Sequence, residues 1–209
     1  VAYTPKVLLM DEPLGALDLK LRESMQHELR RIQQELGITA VYVTHDQSEA
    51  MNMSDRIAVM NLGLLEQVGT AEEIYESPAT QFVADFVGQI NFLPAEVLGS
   101  EGSVITVETL GQKLQAPLAP DAPASGNVKL AIRPERLHIE ATGSAGDGRQ
   151  GLSGRVRDIQ FAGNLIRIFV AVGDDHDLIV ETRPKEVSAE IGADVLVSWD
   201  RGDARLLAD

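Results

Sequence analysis

The rhythm of apolar and polar positions changes twice along the chain. Residues 7–10, Val-Leu-Leu-Met, form an unbroken apolar run, the pattern of a strand buried on both faces. Asp11-Glu12-Pro13 ends it, because proline cannot continue a ladder. From Leu19 to Leu36 the period becomes helical. Leu21, Met25, Leu29, Ile32 and Leu36 share one stripe, while Lys20, Arg22, Glu28, Arg31 and Gln34 fall elsewhere. Asp18 stands where an N-cap belongs and Gly37 where the helix should stop. Residues 38–44, rich in β-branched side chains, predict a second strand. Strand, crossover helix and strand make a βαβ unit, which predicts two parallel strands.

Asp46 and Glu49 then have the spacing of a capping-box variant at the start of a short helix. Residues 57–60 and 64–68 predict a hairpin around Asn61-Leu62-Gly63. Thr70 and Glu73 repeat the capping spacing before a helix that Pro78 interrupts. Phe82, Val83 and Phe86 form a last apolar face, closed by Gly88. Beyond Gly88 short alternating runs (92–98, 103–108, 128–132, 154–160, 165–172, 178–182, 195–199) are separated by Gly, Pro, Ser and Asp clusters, as in a small all-β barrel or sandwich. The stretches 117–127 and 142–151 read as loops. The expected organisation is therefore an α/β part over residues 1–88 and an all-β domain over 89–209.

Composition narrows the functional classes. The 209 residues carry a formal charge of −14, and acids outnumber bases on both sides of Gly88. Binding to nucleic acid, which needs a basic stripe, is therefore not expected. There is no cysteine, so neither a disulfide framework nor a thiolate metal site is available. No apolar run approaches the roughly 18–20 residues that a membrane-spanning helix needs.

The candidate chemistry lies where the two predicted strands end. In an open parallel sheet, ligands bind beyond the carboxyl ends of the strands. The first strand delivers Asp11 and Glu12 to that rim, and the second delivers His45 followed by Asp46. Neighbouring carboxylates can divide the work of phosphoryl transfer, one holding Mg²⁺ and the next polarising an attacking water. A histidine beside them can hydrogen-bond a terminal phosphate. The plainer reading of Asp11-Glu12 is strand termination, and of Asp18 a helix cap.

Val-Leu-Leu-Met-Asp-Glu-Pro-Leu-Gly-Ala-Leu-Asp (7–18), followed by Val-Thr-His-Asp-Gln-Ser-Glu-Ala-Met (43–51), closely resembles the ATP-binding subunits of ABC transporters. The resemblance implies that Asp11 is the Walker B aspartate, a metal ligand, and that Glu12 is the catalytic glutamate. It makes Gly15, Ala16, Leu17 and Asp18 the D-loop, at the nucleotide site and dimer interface, and His45 the switch histidine. Ile90-Asn91-Phe92-Leu93-Pro94 and Ala131-Ile132-Arg133-Pro134-Glu135-Arg136-Leu137 resemble the TOBE β-domain of importer ATPases. The stretches Val197–Asp200 and Asp203–Leu207 look most like the spermidine/putrescine group. The implied fold is the partial α/β P-loop ATPase domain of an ABC protein, a parallel sheet with helices, followed by an all-β, OB-like TOBE barrel.

The implied protein is an ATPase subunit of a solute importer, peripheral on the cytoplasmic face of the cell membrane. ATP and Mg²⁺ would be its cofactors. A second ATPase subunit and transmembrane permease subunits would be its partners, with a periplasmic solute-binding protein contributing indirectly. Polyamine uptake leads, with sugar, iron or sulfate uptake as alternatives. A non-enzymatic regulatory or anion-binding TOBE module is a reading of another class.

No G-x-x-x-x-G-K-[ST] motif, Q-loop or Leu-Ser-Gly-Gly-Gln signature occurs in these residues. The chain therefore reads as the C-terminal part of a longer ATPase, inactive by itself. Gly151-Leu152-Ser153-Gly154-Arg155 superficially matches the signature and reads as a turn. Gly173-Asp174-Asp175-His176-Asp177 lacks EF-hand spacing and reads as a solvated hairpin turn. Arg133 and Arg136 are candidates for binding an anion in the β-domain, and their plainer reading is as charges pairing with Glu135 or Glu140 at a strand end.

Overall fold

The computed structural model describes residues 6–120, 122–141, 146, 148–184 and 189–208. The chain forms two compact units, Val1–Pro78 and Ala79–Asp209.

In the first unit, β1 (Val7–Asp11), α1 (Leu19–Leu36) and β2 (Thr39–Val43) realise the strand–helix–strand pattern. The two strands pair in parallel, with Leu9 opposite Val41 and Asp11 opposite Val43. Asp18 caps α1 by accepting from the Leu21 N–H, and Gly37 ends the helix in the left-handed region at φ 61°. Next come α2 (Gln47–Met53), the hairpin of β3 (Ile57–Asn61) and β4 (Leu64–Gly69), and α3 (Ala71–Glu76). Leu62 and Gly63, both at positive φ, form the two-residue turn that matches strand twist. Thr70 and Glu73 complete a reciprocal capping box on α3. Arg30 of α1 donates to the Asn52 carbonyl and to Asp55, stapling α1 beside α2.

One expectation is corrected here. β1 is not buried on both faces: Val7, Leu9, Val41 and Val43 alternate outward on one exposed sheet face, Leu9 being 74% exposed. The helix stripe is also partly bare at Leu21, Ile32 and Leu36. β1 and β2 form a two-stranded sheet, bare on the face of Leu9 and Val41 and half-buried on the face of Leu8 and Met10.

The second unit begins with α4 (Gln81–Phe86). Its strands are β5 (Asn91–Glu101), β6 (Val104–Thr109), β7 (Gln112–Pro117), β8 (Gly126–Ile132), β9 (His138–Ala141), β10 (Arg149–Phe161), β11 (Ile166–Val172), β12 (His176–Thr182), β13 (Asp194–Asp200) and β14 (Ala204–Ala208). They form two five-stranded sheets, ordered β14-β8-β5-β6-β7 and β12-β11-β10-β13-β9. Leu93, Ile105, Val107, Leu130 and Ile132 of one sheet and Leu152, Ile168, Val170, Leu178, Val180, Val197 and Trp199 of the other share one buried core, the interdigitation expected of packed sheets.

Two side-chain amides tie the sheets at their edges. Asn91 accepts from the Ile179 N–H and donates to its carbonyl, at 2.7 and 2.9 Å. Gln150 likewise accepts from the Gln115 N–H and donates to its carbonyl. Each amide stands in for one residue of a partner strand, on edge strands β12 and β7 respectively.

α4 belongs with this unit. Ala84 packs against Ala131 and Leu207, and Arg133, 5% exposed, donates one Nη1 to the Ala84, Gly88 and Gln89 carbonyls at 3.0–3.2 Å. The compact units accordingly divide at Pro78, ten residues before Gly88. The arginine binds helix-end carbonyls, a contact additional to the strand-end charge pairing expected of it. Glu140 takes Arg149, Ser198 and the Gly146 N–H instead.

Residues 149–155 are not a turn. They are the first half of β10, pairing with β13, while Arg155–Phe161 pair with β11. A Cβ on Gly151 would lie 2.4 Å from the Val197 carbonyl oxygen, and one on Gly154 would lie 2.5 Å from that of Ala171. Glycine is required there by close backbone approach within a strand. Of the predicted loop 142–151, residues 142–145 and 147 lie outside the described residues. Gly173–Asp175 form the β11–β12 turn, as expected.

Candidate functional site at the ends of β1 and β2

The parallel pair brings Asp11, Glu12 and His45 to one rim. The Glu12 N–H extends the ladder by donating to the Val43 carbonyl at 2.8 Å, and the Glu12 carbonyl accepts from the Gly15 N–H. Glu12 sits at φ 45°, in the left-handed region that costs an L-residue roughly 1–2 kcal/mol. Such conformations persist where surroundings over-determine them, and they cluster at functional sites. Here a third bond completes the restraint, between Glu12 Oε1 and His45 Nδ1 at 3.0 Å. Both side chains remain accessible, His45 at 75% and Glu12 at 52%. Asp11 is exposed and forms no ion pair among the described residues.

The turn after Glu12 is anchored by Leu14, 2% exposed, and closed by the Leu17 N–H donating to the Leu14 carbonyl. A Cβ on Gly15 would stand 3.5 Å from Glu12 Oε2, so the small residue lies directly beside that carboxylate. Ala16 is exposed, Leu17 is half-buried, and Asp18 is occupied as the α1 N-cap.

His45 is held between two fixed neighbours. Asp46 Oδ1 caps α2 by accepting from the Ser48 and Glu49 N–H groups at 2.9 and 3.1 Å. Its carboxyl is held below the usual range, first by the Ser48 hydroxyl, then by those N–H groups and by Arg22, with burial opposing. The capping box expected of Asp46 and Glu49 is relayed rather than direct. The Asp46 N–H donates to Thr44 Oγ1, and Thr44 Oγ1 donates to Glu49 Oε2 at 2.8 Å. Glu49 is 3% exposed.

Arg22 joins this network from α1. It donates to Asp46 Oδ2 at 2.8 Å and to the Leu17 carbonyl at 3.0 Å. Arg22, Thr44 and the buried state of Glu49 were not singled out from the sequence. The one sequence signal was Glu49 at the third helical position, since Arg22 reads simply as part of a polar helix face.

The donor set suits Mg²⁺ and a nucleotide phosphate. Mg²⁺ takes hard oxygen ligands, commonly one or two carboxylates plus substrate phosphates, and Asp11 and Glu12 offer accessible carboxylates at a strand end. Among the described residues no cluster of three or more His, Cys, Asp or Glu could hold a metal ion by itself. A cation here would complete its coordination with water or substrate oxygens.

One chain thus carries both a parallel strand pair with acids and a histidine at its rim and a double-sheet β unit. Residues 130–207 match the TOBE domain family. The whole chain is similar to spermidine/putrescine import ATP-binding proteins PotA. That of Pseudomonas fluorescens is 44% identical over 100% of this chain and 56% of its own length. That of Acidothermus cellulolyticus is 46% identical over 84% of this chain and 46% of its own. The protein of Roseobacter denitrificans is 41% identical over 100% and 58%. The chain thus spans about half the length of the curated relatives it matches. A crystal structure of the cytoplasmic molybdate-binding protein ModG matches with a TM-score of 0.50 at 18% identity, over 57% of this chain and 96% of its own. That likeness concerns fold alone. It exceeds what residues 1–78 could supply, so it includes the β-rich unit.

Proposed function

We propose that the chain is part of the ATP-binding subunit of an ABC-type solute importer, and that residues 6–78 are a portion of its P-loop ATPase domain. The observation that carries this reading is the Glu12–His45 pair at the carboxyl ends of two parallel strands, with Glu12 held at positive φ. Identity of 41–46% to polyamine import ATP-binding proteins supports spermidine or putrescine as the solute taken up by the complete transporter. A second ATPase subunit, permease subunits and a periplasmic solute-binding protein complete the assembly. The subunit itself is peripheral at the cytoplasmic face of the membrane. No helix among the described residues is long and apolar enough to cross a membrane.

In this reading Asp11 holds Mg²⁺, which when bound neutralises phosphate charge. Glu12 orients and polarises the attacking water with the carboxylate oxygens it presents at the rim. His45 contacts the γ-phosphate. Its proton placement follows from its partner. An ionised Glu12 can only accept, so Nδ1 carries the hydrogen. Nε2 then donates to a phosphate oxygen only when the ring is protonated, or when His45 leaves Glu12 and changes tautomer. Gly15–Asp18 line the nucleotide site and the interface between two subunits.

Phosphate release by the full-length subunit tests the reading, with Glu12→Gln expected to lower turnover by about 10²-fold or more. Unchanged turnover in that variant would overturn it. The 209-residue chain, which has no phosphate-cradling glycine-rich loop of its own, is expected to show no Glu12-dependent turnover.

The self-contained core of the β-rich unit favours a second reading, a regulatory anion-binding module. It predicts oxyanion binding that survives deletion of residues 1–78, measurable by calorimetry with molybdate, sulfate and phosphate. The cut belongs at Pro78 because Arg133 ties α4 to the strands.

A further inference from the structure

We propose that Arg22 is a positioning residue that couples the Gly15–Asp18 turn to the His45 turn. This rests on the reading of the rim as an ATP site. Arg22 lies in the first turn of α1 and reaches out of the helix in two directions. Nη2 donates to the Leu17 carbonyl and Nη1 to Asp46 Oδ2. The two acceptors are 29 residues apart in sequence and belong to the two turns that flank Glu12 and His45. No other described side chain bonds both turns.

The bond to Asp46 does not compete with the helix cap, because Oδ1 makes the cap and Oδ2 takes the arginine. Nε is buried without a hydrogen-bond partner and lies 3.9 Å from Glu49 Oε1. Glu49 in turn fixes Thr44, so both residues adjoining His45 are set by groups that Arg22 touches. His45 itself is restrained by Glu12. A shift of the Leu17 carbonyl therefore reaches His45 through one guanidinium.

A merely structural helix staple looks different in the same molecule. Arg30 ties α1 to the end of α2 through the Asn52 carbonyl and Asp55, whose side chain is 83% exposed, and it touches neither turn. Docking of the two helices therefore does not depend on Arg22 alone. The planar fork matters because its nitrogens can serve two acceptors at fixed separation, which one lysine ammonium on a flexible stem does poorly.

The test is steady-state ATP hydrolysis by the full-length subunit with its permease partners. Arg22→Met is expected to lower kcat by about tenfold with KM within about twofold, measured at a temperature where circular dichroism shows the variant folded. Arg22→Lys should recover only part of kcat. Asp46→Asn added to Arg22→Met should slow turnover no further, since the two would act through one link. Parental kcat in Arg22→Met, or a change in KM alone, overturns the proposal. So does full activity in Arg22→Lys, which decides the matter if Arg22→Met fails to fold. Glu12→Gln in the same preparation separates the two readings. Loss of turnover there upholds the ATP site and leaves Arg22 judged on its own variants. Retention removes the ATP site and this proposal with it.

Discussion

Residues 6–78 display an apolar strand face and an exposed Glu12–His45 pair, whereas the β-rich unit turns its apolar faces inward. Leu9 and Val43 stand on an exposed sheet face, while Leu130 and Trp199 are fully enclosed between two sheets. The same contrast holds at strand edges. β12 and β7 receive side-chain amides that satisfy their backbone groups, a way of blunting an edge that would otherwise template pairing. The difference teaches that burial and exposure are divided along the chain: one unit encloses a large core, and the other carries the candidate site on a sheet of two strands.

The strongest attack on this comparison is a matched pair of truncations. Trp199→Ala should cost about 3–5 kcal/mol, whereas Leu9→Ala should stay within about 0.5 kcal/mol. Urea unfolding of the 209-residue chain measures both, and equal costs would break the contrast. Next in size are the amide clamps. Asn91→Leu and Gln150→Leu each leave a backbone N–H and carbonyl without their partner and should cost about 1–3 kcal/mol, with greater self-association by light scattering.

Acid titration sharpens the comparison further. The Asp46 carboxyl is lowered chiefly by Ser48, and that of Glu140 chiefly by Ser198. A lowered carboxyl contributes stability that is fully present above its ordinary value and is lost as pH falls through the folded one. Asp46→Asn and Glu140→Gln should therefore each reduce stability at neutral pH and flatten the acid limb below about pH 4, Asp46→Asn in the first unit's transition and Glu140→Gln in the second's.

The smallest effect comes from two turns of the same design. Leu62 and Leu110 both sit at positive φ before a glycine, where asparagine is preferred. Leu62 is 96% exposed, so Leu62→Asn should stabilise by about 0.5–1 kcal/mol. Leu110 packs on the β core, so Leu110→Asn should gain nothing or destabilise. Thermal midpoints distinguish the two.

Local chemistry was legible in the sequence. The α1 boundaries, the Thr70–Glu73 box and the turn at Leu62-Gly63 depend on residues a few positions apart, and each forms as its spacing predicts. The rim was legible because strand ends carry their side chains with them. β7, β9 and β14 were not. β7 has only Leu114 and Ala116 facing the core, and β9 is four residues long. β14 follows a short 3₁₀ turn, so its alternation has little length in which to show. The Gly151 and Gly154 positions misled because a glycine demanded by close strand packing resembles one demanded by a turn. Arg22 escaped because its partner lies 24 residues away, beyond any local period.

β14 also sets a timetable. It pairs with β8, placing Leu206 opposite Leu130, so the sheet that also holds β5 is incomplete until some seventy-five further residues have followed β8 from the ribosome. Pairings this distant form slowly, because loop closure precedes the contacts that reward it. Until residues 204–208 arrive, β8 presents an open edge and Ala131 lacks Leu207 beside it. During synthesis the vulnerable interval of this chain thus falls in the unit that, once finished, is the better protected of the two.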